Sequence, residues 1–199
     1  MAFPHTPIGY PAMIAFGVGT AAFTAALAAA WWRGRRGPRV AGGKRDNRSM
    51  LWIALQAVGI GLAGLGPVEV TLPPLSARAL IPAAAVLVLM LGAAALFDWS
   101  SRTMGSNWAL VARTRGDAEL VTGGPFAYVR NPIYVALAMF MVAMALAYGH
   151  GAALLLAAPV YAAATWLRVA SEERILRAEF GNAYDRYAAR VARFVPGVI

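Results

Sequence analysis

Apolar residues run along this chain in long stretches, without the alternation of a half-buried strand or the one-sided stripe of a soluble helix. Three stretches, residues 12–32, 50–72 and 79–99, reach the roughly 20 residues that a helix needs to cross a hydrocarbon core of ~30 Å. A fourth, residues 133–167, is too long for one crossing. It is interrupted by Tyr148-Gly149-His150-Gly151, so the pattern predicts two short antiparallel helices joined by a tight turn, each about 24 Å long at ~1.5 Å per residue. The expected fold is an all-α polytopic membrane bundle of about five transmembrane helices, with a short C-terminal helical hairpin and a cytoplasmic C-terminal tail. It forms a single membrane domain over residues 1–199. Residues 1–99 supply three N-terminal helices, and residues 100–199 supply a loop, the hairpin and the tail.

Composition supports the membrane setting. Of 199 residues 60% are hydrophobic and 14% charged, where soluble domains run near ~45–50% and ~25%. Mean hydropathy is +0.58. The absence of Cys excludes disulfides, thiolate nucleophiles and cysteine metal sites, and with His5 and His150 the only imidazoles, a multi-His metal site is excluded too. No metal is expected.

Charge then orients the bundle. There are 18 Lys and Arg against 9 Asp and Glu, a net charge of +9. Every cation except Arg78 falls after the first, third or fifth helix. The positive-inside rule therefore puts the N-terminus outside and the C-terminus in the cytoplasm, and a bacterial inner membrane is the expected location. Anionic lipid, and no nucleic acid, is the expected partner of these arginines, because no basic stripe recurs on a helix face and most aromatic residues lie in apolar runs. A cleaved signal peptide is the competing reading of the first helix, given Ala28-Ala29-Ala30. Against it, residues 1–11 carry no Lys or Arg and the basic cluster follows the apolar run.

Gly59-Ile60-Gly61-Leu62-Ala63-Gly64 spells a dinucleotide fingerprint, but that motif works as a turn after a strand, and here it lies inside a predicted span. Close helix packing is the expected use of these small residues.

Two polar segments carry the candidate chemistry. Asn107-Trp108 and then Gly123-Gly124-Pro125-Phe126-Ala127-Tyr128-Val129-Arg130-Asn131-Pro132-Ile133-Tyr134 form a loop that runs into the fourth helix. Pro132 suits a first helical position and disfavours helix at Asn131, so the loop is anchored at a helix N-terminus, which favours anionic or carboxylate-bearing ligands. The alternative is an interfacial belt of Tyr and Arg. In the second segment Glu172 and Glu173 sit where the fifth helix leaves the membrane. Adjacent helical residues point about 100° apart, so the two face differently. Glu172 is four residues from Arg168 and can pair with it on the surface. Glu173 lies near the apolar line of Trp166, Val169 and Leu176 and is the one expected to face the interior, where an unpaired carboxylate is costly and marks function. A solvated pair is the alternative.

The order Arg130-Asn131-Pro132-Ile133-Tyr134, Glu172-Glu173-Arg174-Ile175-Leu176 and Phe180-Gly181-Asn182-Ala183-Tyr184-Asp185-Arg186-Tyr187, closing on Arg193-Phe194-Val195-Pro196-Gly197, resembles the isoprenylcysteine carboxyl methyltransferase and phospholipid methyltransferase superfamily. The superfamily pattern is RHPxYxG, EExxL and FGxxYxxY around a helical hairpin, and the resemblance covers roughly residues 105–197. Two positions depart from it. Asn131 replaces the family His, which removes a group that titrates near neutral pH and keeps hydrogen-bonding capacity; Ala136 replaces the family Gly and stays small.

The resemblance implies an integral membrane methyltransferase that uses S-adenosylmethionine on a lipophilic acceptor, such as a phospholipid amine or an isoprenoid carboxylate. It implies catalytic roles for Arg130 and Glu173. Tyr128, Asn131, Tyr134, Glu172, Tyr184, Tyr187, Arg193 and Phe194 become candidate cofactor-binding residues, the last four of them forming a folded-back lid. Two other classes remain open: an NADPH-dependent reductase of a sterol-like lipid, and a non-enzymatic membrane scaffold.

Overall fold

The computed structural model describes residues 4–36, 49–105 and 120–197. Over them the chain is helical: α1 (Tyr10–Arg36), α2 (Ser49–Ala63), α3 (Ala77–Met104), α4 (Pro132–Ala147), α5 (Leu154–Phe180) and α6 (Asn182–Ala188), with short 3₁₀ turns at Gly124–Ala127 and Gly151–Ala153. No strand occurs among the described residues; there are isolated parallel bridges at Ile8–Val70 and Val129–Ala192. Asn107-Trp108 lies outside the described residues.

Three helices, α1, α3 and α5, are long and apolar enough to cross a membrane, whereas α2 and α4 are shorter apolar helices. The expected span over 50–72 is thus overestimated. Helix α2 stops at Ala63 because Pro67 has no N–H to donate and disfavours helical geometry at Gly66. Beyond it the chain is extended: Ile8 N–H donates to Glu69 O at 2.9 Å, and Thr71 and Leu72 N–H donate to Ile8 O at 3.2 and 3.1 Å. The hairpin helices, expected to be short with the fifth continuing through Glu173, are also unequal in length. Helix α4 has 16 residues, but α5 has 27 and runs on to Phe180.

Between them Gly149 adopts φ 73°, and a Cβ there would lie 2.1 Å from the Thr6 carbonyl, so only glycine fits the turn. Although α4 and α5 follow one another, each packs mainly elsewhere, α4 on α3 and α5 on α2. Helix α1 packs along α3 as an integral wall of the bundle. The core is rich in alanine: Ala15, Phe16, Val86, Met90, Ala143 and Ala147 form one cluster, and Phe23, Ala30, Ala93, Ala94, Phe97 and Ala136 another. Small side chains let apolar helices approach closely where water provides no drive for association. Within the glycine motif, Gly59 abuts the Tyr161 backbone and Gly64 abuts Met144, while Gly61 faces open space. Large side chains such as Ile14, Val18, Ile81 and Val88 point outward, as helices bathed in lipid allow.

Candidate functional site

The C-terminal ends of α1, α3 and α5 and the N-terminal end of α4 converge at one end of the bundle, and the two polar segments meet there. The loop before α4 turns through Gly124, at φ 58°, where an added Cβ would lie 2.6 Å from Thr103 Oγ1. This seats Pro125 and Phe126 in the interior. After α5, Gly181 at φ 50° ends the helix and α6 turns the chain back. Loop and tail then run side by side: Arg130 N–H donates to Ala192 O at 2.8 Å, the Arg130 side chain donates to Ala188 O, and Asn131 Nδ2 donates to Arg193 O at 3.1 Å. At the position of the family His, this chain therefore uses an amide to hold the tail.

Glu173 is the hub of the joint. It is 2% exposed and accepts from Arg193 Nη2 at 2.7 Å and Nε at 3.1 Å, a two-pronged pair. Arg130 Nη2 lies 3.4 Å away and Arg177 Nη1 3.8 Å away. Tyr184, on α6, is buried beside Glu173; burial, then the Glu173 charge, push its hydroxyl well above the ordinary range. Tyr187 donates to the Phe126 carbonyl at 2.8 Å, and burial pushes its hydroxyl up to about 12, against a smaller opposing pull from Arg130.

Glu172 faces another way. Tyr134 Oη lies 2.7 and 2.8 Å from its two oxygens, and Arg168 Nε donates to it at 3.0 Å. The Arg168–Glu172 pair expected on the surface is in fact largely enclosed, with side chains 9% and 22% exposed. Arg168 also donates to Gln56 Oε1 at 3.1 Å, and Gln56 Nε2 donates to Thr165 Oγ1 at 2.8 Å. Tyr161 Oη donates to the Tyr134 carbonyl at 2.7 Å, fixing the start of α4 against α5.

Of the ten residues singled out from sequence, the structure gathers Arg130, Asn131, Tyr134, Glu172, Glu173, Tyr184, Tyr187 and Arg193 into this joint. Phe194 is half-buried beside it, and Tyr128, 65% exposed, points to its outside. Sequence reasoning missed Gln56, Thr165 and Tyr161. An amide inside an apolar span was the available signal for Gln56, since such a group requires a partner. It also missed Trp166, whose ring lies 4.2 Å from the Arg193 guanidinium carbon. A separate cavity of about 240 Å³ lies at the opposite end of the bundle, lined by Ile8, Ala12, Arg78, Ala79 and Leu146 among others.

The cluster combines two carboxylates, four guanidinium groups and several aromatic faces. The buried Nε of Arg130 has no hydrogen-bond partner among the described residues, which leaves a donor for an acceptor group from a ligand. A search of curated proteins finds no significant match. A family model described as phospholipid methyltransferase matches residues 81–183. This stretch takes in most of α3, the loop before α4, the whole hairpin and both glutamates, more than half of the sequence, and the chain belongs to the phospholipid methyltransferase family.

Proposed function

We propose that this protein transfers a methyl group from S-adenosylmethionine to a lipophilic acceptor drawn from the membrane, with a phospholipid amine as the favoured acceptor. The observation that carries the reading is the joint itself: a family-matched loop and hairpin meet a folded-back tail around two enclosed carboxylates and a guanidinium with a free donor. S-adenosylmethionine supplies a methyl on a cationic sulfonium, already activated toward a nucleophile.

The donor set fits such a molecule. Arg130, through its unpartnered Nε, is placed to bind a carboxylate. Glu172, held by Tyr134 and Arg168 yet 22% exposed, is the carboxylate open to an ammonium group. Glu173 is committed to three arginines, so its part is to hold loop and tail together around the ligand. The Tyr134 and Tyr184 rings lie against Arg168 and Arg177, at 5.2 and 5.4 Å from the guanidinium carbons, and so brace the charged groups that would meet the cofactor. Tyr128 at the rim and Tyr187, Arg193 and Phe194 in the tail complete a lid that excludes water and keeps acceptor and methyl in line, the main work a methyl transfer asks of a protein. In this reading α1 to α5 all lie in the membrane, here a bacterial inner membrane, residues 1–199 act as one domain, and the joint faces the cytoplasm, the side the arginine distribution favours.

Thermal-shift titration of the detergent-purified chain with S-adenosylhomocysteine and, in parallel, NADPH tests the cofactor. Labelled methyl transfer into phosphatidylethanolamine vesicles tests the acceptor. A saturable shift with S-adenosylhomocysteine, lost in Arg130→Ala, supports the proposal. A shift with NADPH alone would replace it with a reductase.

A further inference from the structure

Helix α2 lies outside the family-matched segment, yet it sends one buried side chain to the site. We propose that Gln56 is a positioning residue for methyl transfer, acting through Arg168 to hold the Glu172 carboxylate in place. The inference rests on the methyl-transfer reading and adds a residue to it.

The argument begins with how closely α2 approaches α5. A Cβ at Gly59 would lie 2.8 Å from Tyr161 N and 2.9 Å from Tyr161 Cα. These are backbone atoms that cannot step aside, so the absence of a side chain at Gly59 allows the contact. Gln56 is one turn earlier on the same face and is 3% exposed. On α5, Tyr161, Thr165, Arg168 and Glu172 follow at spacings of four, three and four, a polar stripe that starts within the apolar first half of the helix. Gln56 meets the middle of that stripe.

Its amide can satisfy the two neighbours in one orientation only. Nε2 donates to Thr165 Oγ1 at 2.8 Å, which turns Oε1 toward Arg168, and Oε1 accepts from Nη1 at 3.1 Å. The Arg168 guanidinium is planar and rigid, so holding one edge on Gln56 aims the Nε edge, and Nε donates to Glu172 Oε1 at 3.0 Å. The same guanidinium carbon lies 5.2 Å from the centre of the Tyr134 ring, whose hydroxyl contacts both Glu172 oxygens. Glu172 therefore receives its position from a chain of contacts that starts on α2. Without Gln56, Arg168 keeps its charge and loses a contact that helps set its plane.

The test uses the full chain in detergent with labelled S-adenosylmethionine and phosphatidylethanolamine vesicles. Gln56→Met keeps length and removes both hydrogen bonds. Thr165→Val removes the acceptor that orients the amide and carries the test if Gln56→Met does not fold. Each is expected to raise KM for S-adenosylmethionine by about tenfold, since Glu172 is the carboxylate offered to the cofactor's ammonium and small misplacements there are costly, while kcat at saturating cofactor stays within about twofold. In an Arg168→Lys background, Gln56→Met should then raise KM little further, and the melting temperatures of the four ligand-free proteins should likewise be non-additive. An unchanged KM in the single variants, or changes in KM and melting temperature that simply add to those of Arg168→Lys, would overturn the inference. Absence of transfer by the unsubstituted chain counts instead against the methyl-transfer reading.

Discussion

Replacing Glu173 by Gln should release the tail, and the geometry sets the size of the effect. The substitution keeps shape and removes charge from a side chain 3% exposed. Three cations lose their partner, and they do not weigh equally. Arg177 is 46% exposed and also pairs with Asp185 at 3.1 Å, so its share is that of a surface pair, under about 1 kcal/mol. Arg193 is 22% exposed and loses the charge from a two-pronged contact. Arg130 is 9% exposed and is left as an enclosed cation, helped among the described residues by the Ala188 carbonyl. Removing one member of a buried pair costs ~3–5 kcal/mol, and because the Gln carbonyl still accepts one donor, the expected loss is about 3 kcal/mol. For a chain of this length, ~2–4 °C per kcal/mol translates this into a fall of about 6–12 °C in melting temperature. Limited trypsin digestion in detergent supplies the local reading, because Arg186, Arg190 and Arg193 lie in the released segment. Arg177→Ala serves as the control and should move the melting temperature by less than about 4 °C. A Glu173→Gln protein that melts within about 2 °C of the parent, with its tail no more susceptible to trypsin, would refute the reasoning.

Tyr187→Phe should cost about 1 kcal/mol at neutral pH by leaving the buried Phe126 carbonyl unpartnered. Because burial raises the hydroxyl from its ordinary 10.0 to about 12, the folded state favours the neutral form: that stability is fully present below pH 10 and is lost as pH rises toward 12. Melting temperature followed across this window should fall less steeply in Tyr187→Phe than in the parent, and equal slopes would contradict the assignment. Gly124→Ala combines a left-handed backbone at φ 58° with a Cβ 2.6 Å from Thr103 Oγ1, and should cost ~1–2 kcal/mol from the backbone alone. Adding Thr103→Ala should recover stability only in part, and full recovery would show that the backbone strain is negligible. Asn131→Ala loses the 3.1 Å bond to the Arg193 carbonyl and should lower stability by about 1 kcal/mol while raising tryptic cleavage of the tail; unchanged cleavage would remove Asn131 from the clamp.

The helices were legible where a physical rule set their ends. Long apolar runs give α1 and α3 almost as observed, and Pro132 marks the first residue of α4. The end of α2 was not, because Leu65, Val68, Val70 and Leu72 prolong the apolar run past the helix, and only the Gly and Pro residues and Glu69 show the change to extended chain. Partner choice was also hidden. In a soluble bundle the apolar stripe of a helix points to its neighbour, but lipid is as apolar as a packed helix, so the side of α5 that meets α2 and the side that meets lipid read alike. The turn at Gly149 suggested that α4 and α5 pair with each other, whereas their main contacts are with α3 and α2.

The candidate site shows the complementary rule. Its residues could be read because charge and hydrogen-bonding groups are sparse in such a chain and each needs an answer from another segment. Glu173 was expected to face inward from its place on an apolar line, and it does so at 2% exposure. What periodicity could not supply was the identity of the answering group, since Arg193 lies twenty residues on and Arg130 comes from before the hairpin. Arg168 shows the limit most clearly. Its spacing to Glu172 predicted a surface pair, and the pair exists, but local spacing carries no information about burial contributed by a remote helix. Gln56 on α2 encloses it from over a hundred residues away. An amide within one apolar helix and an arginine within another each demand a partner, and when both stand in one chain the economical fold satisfies each with the other.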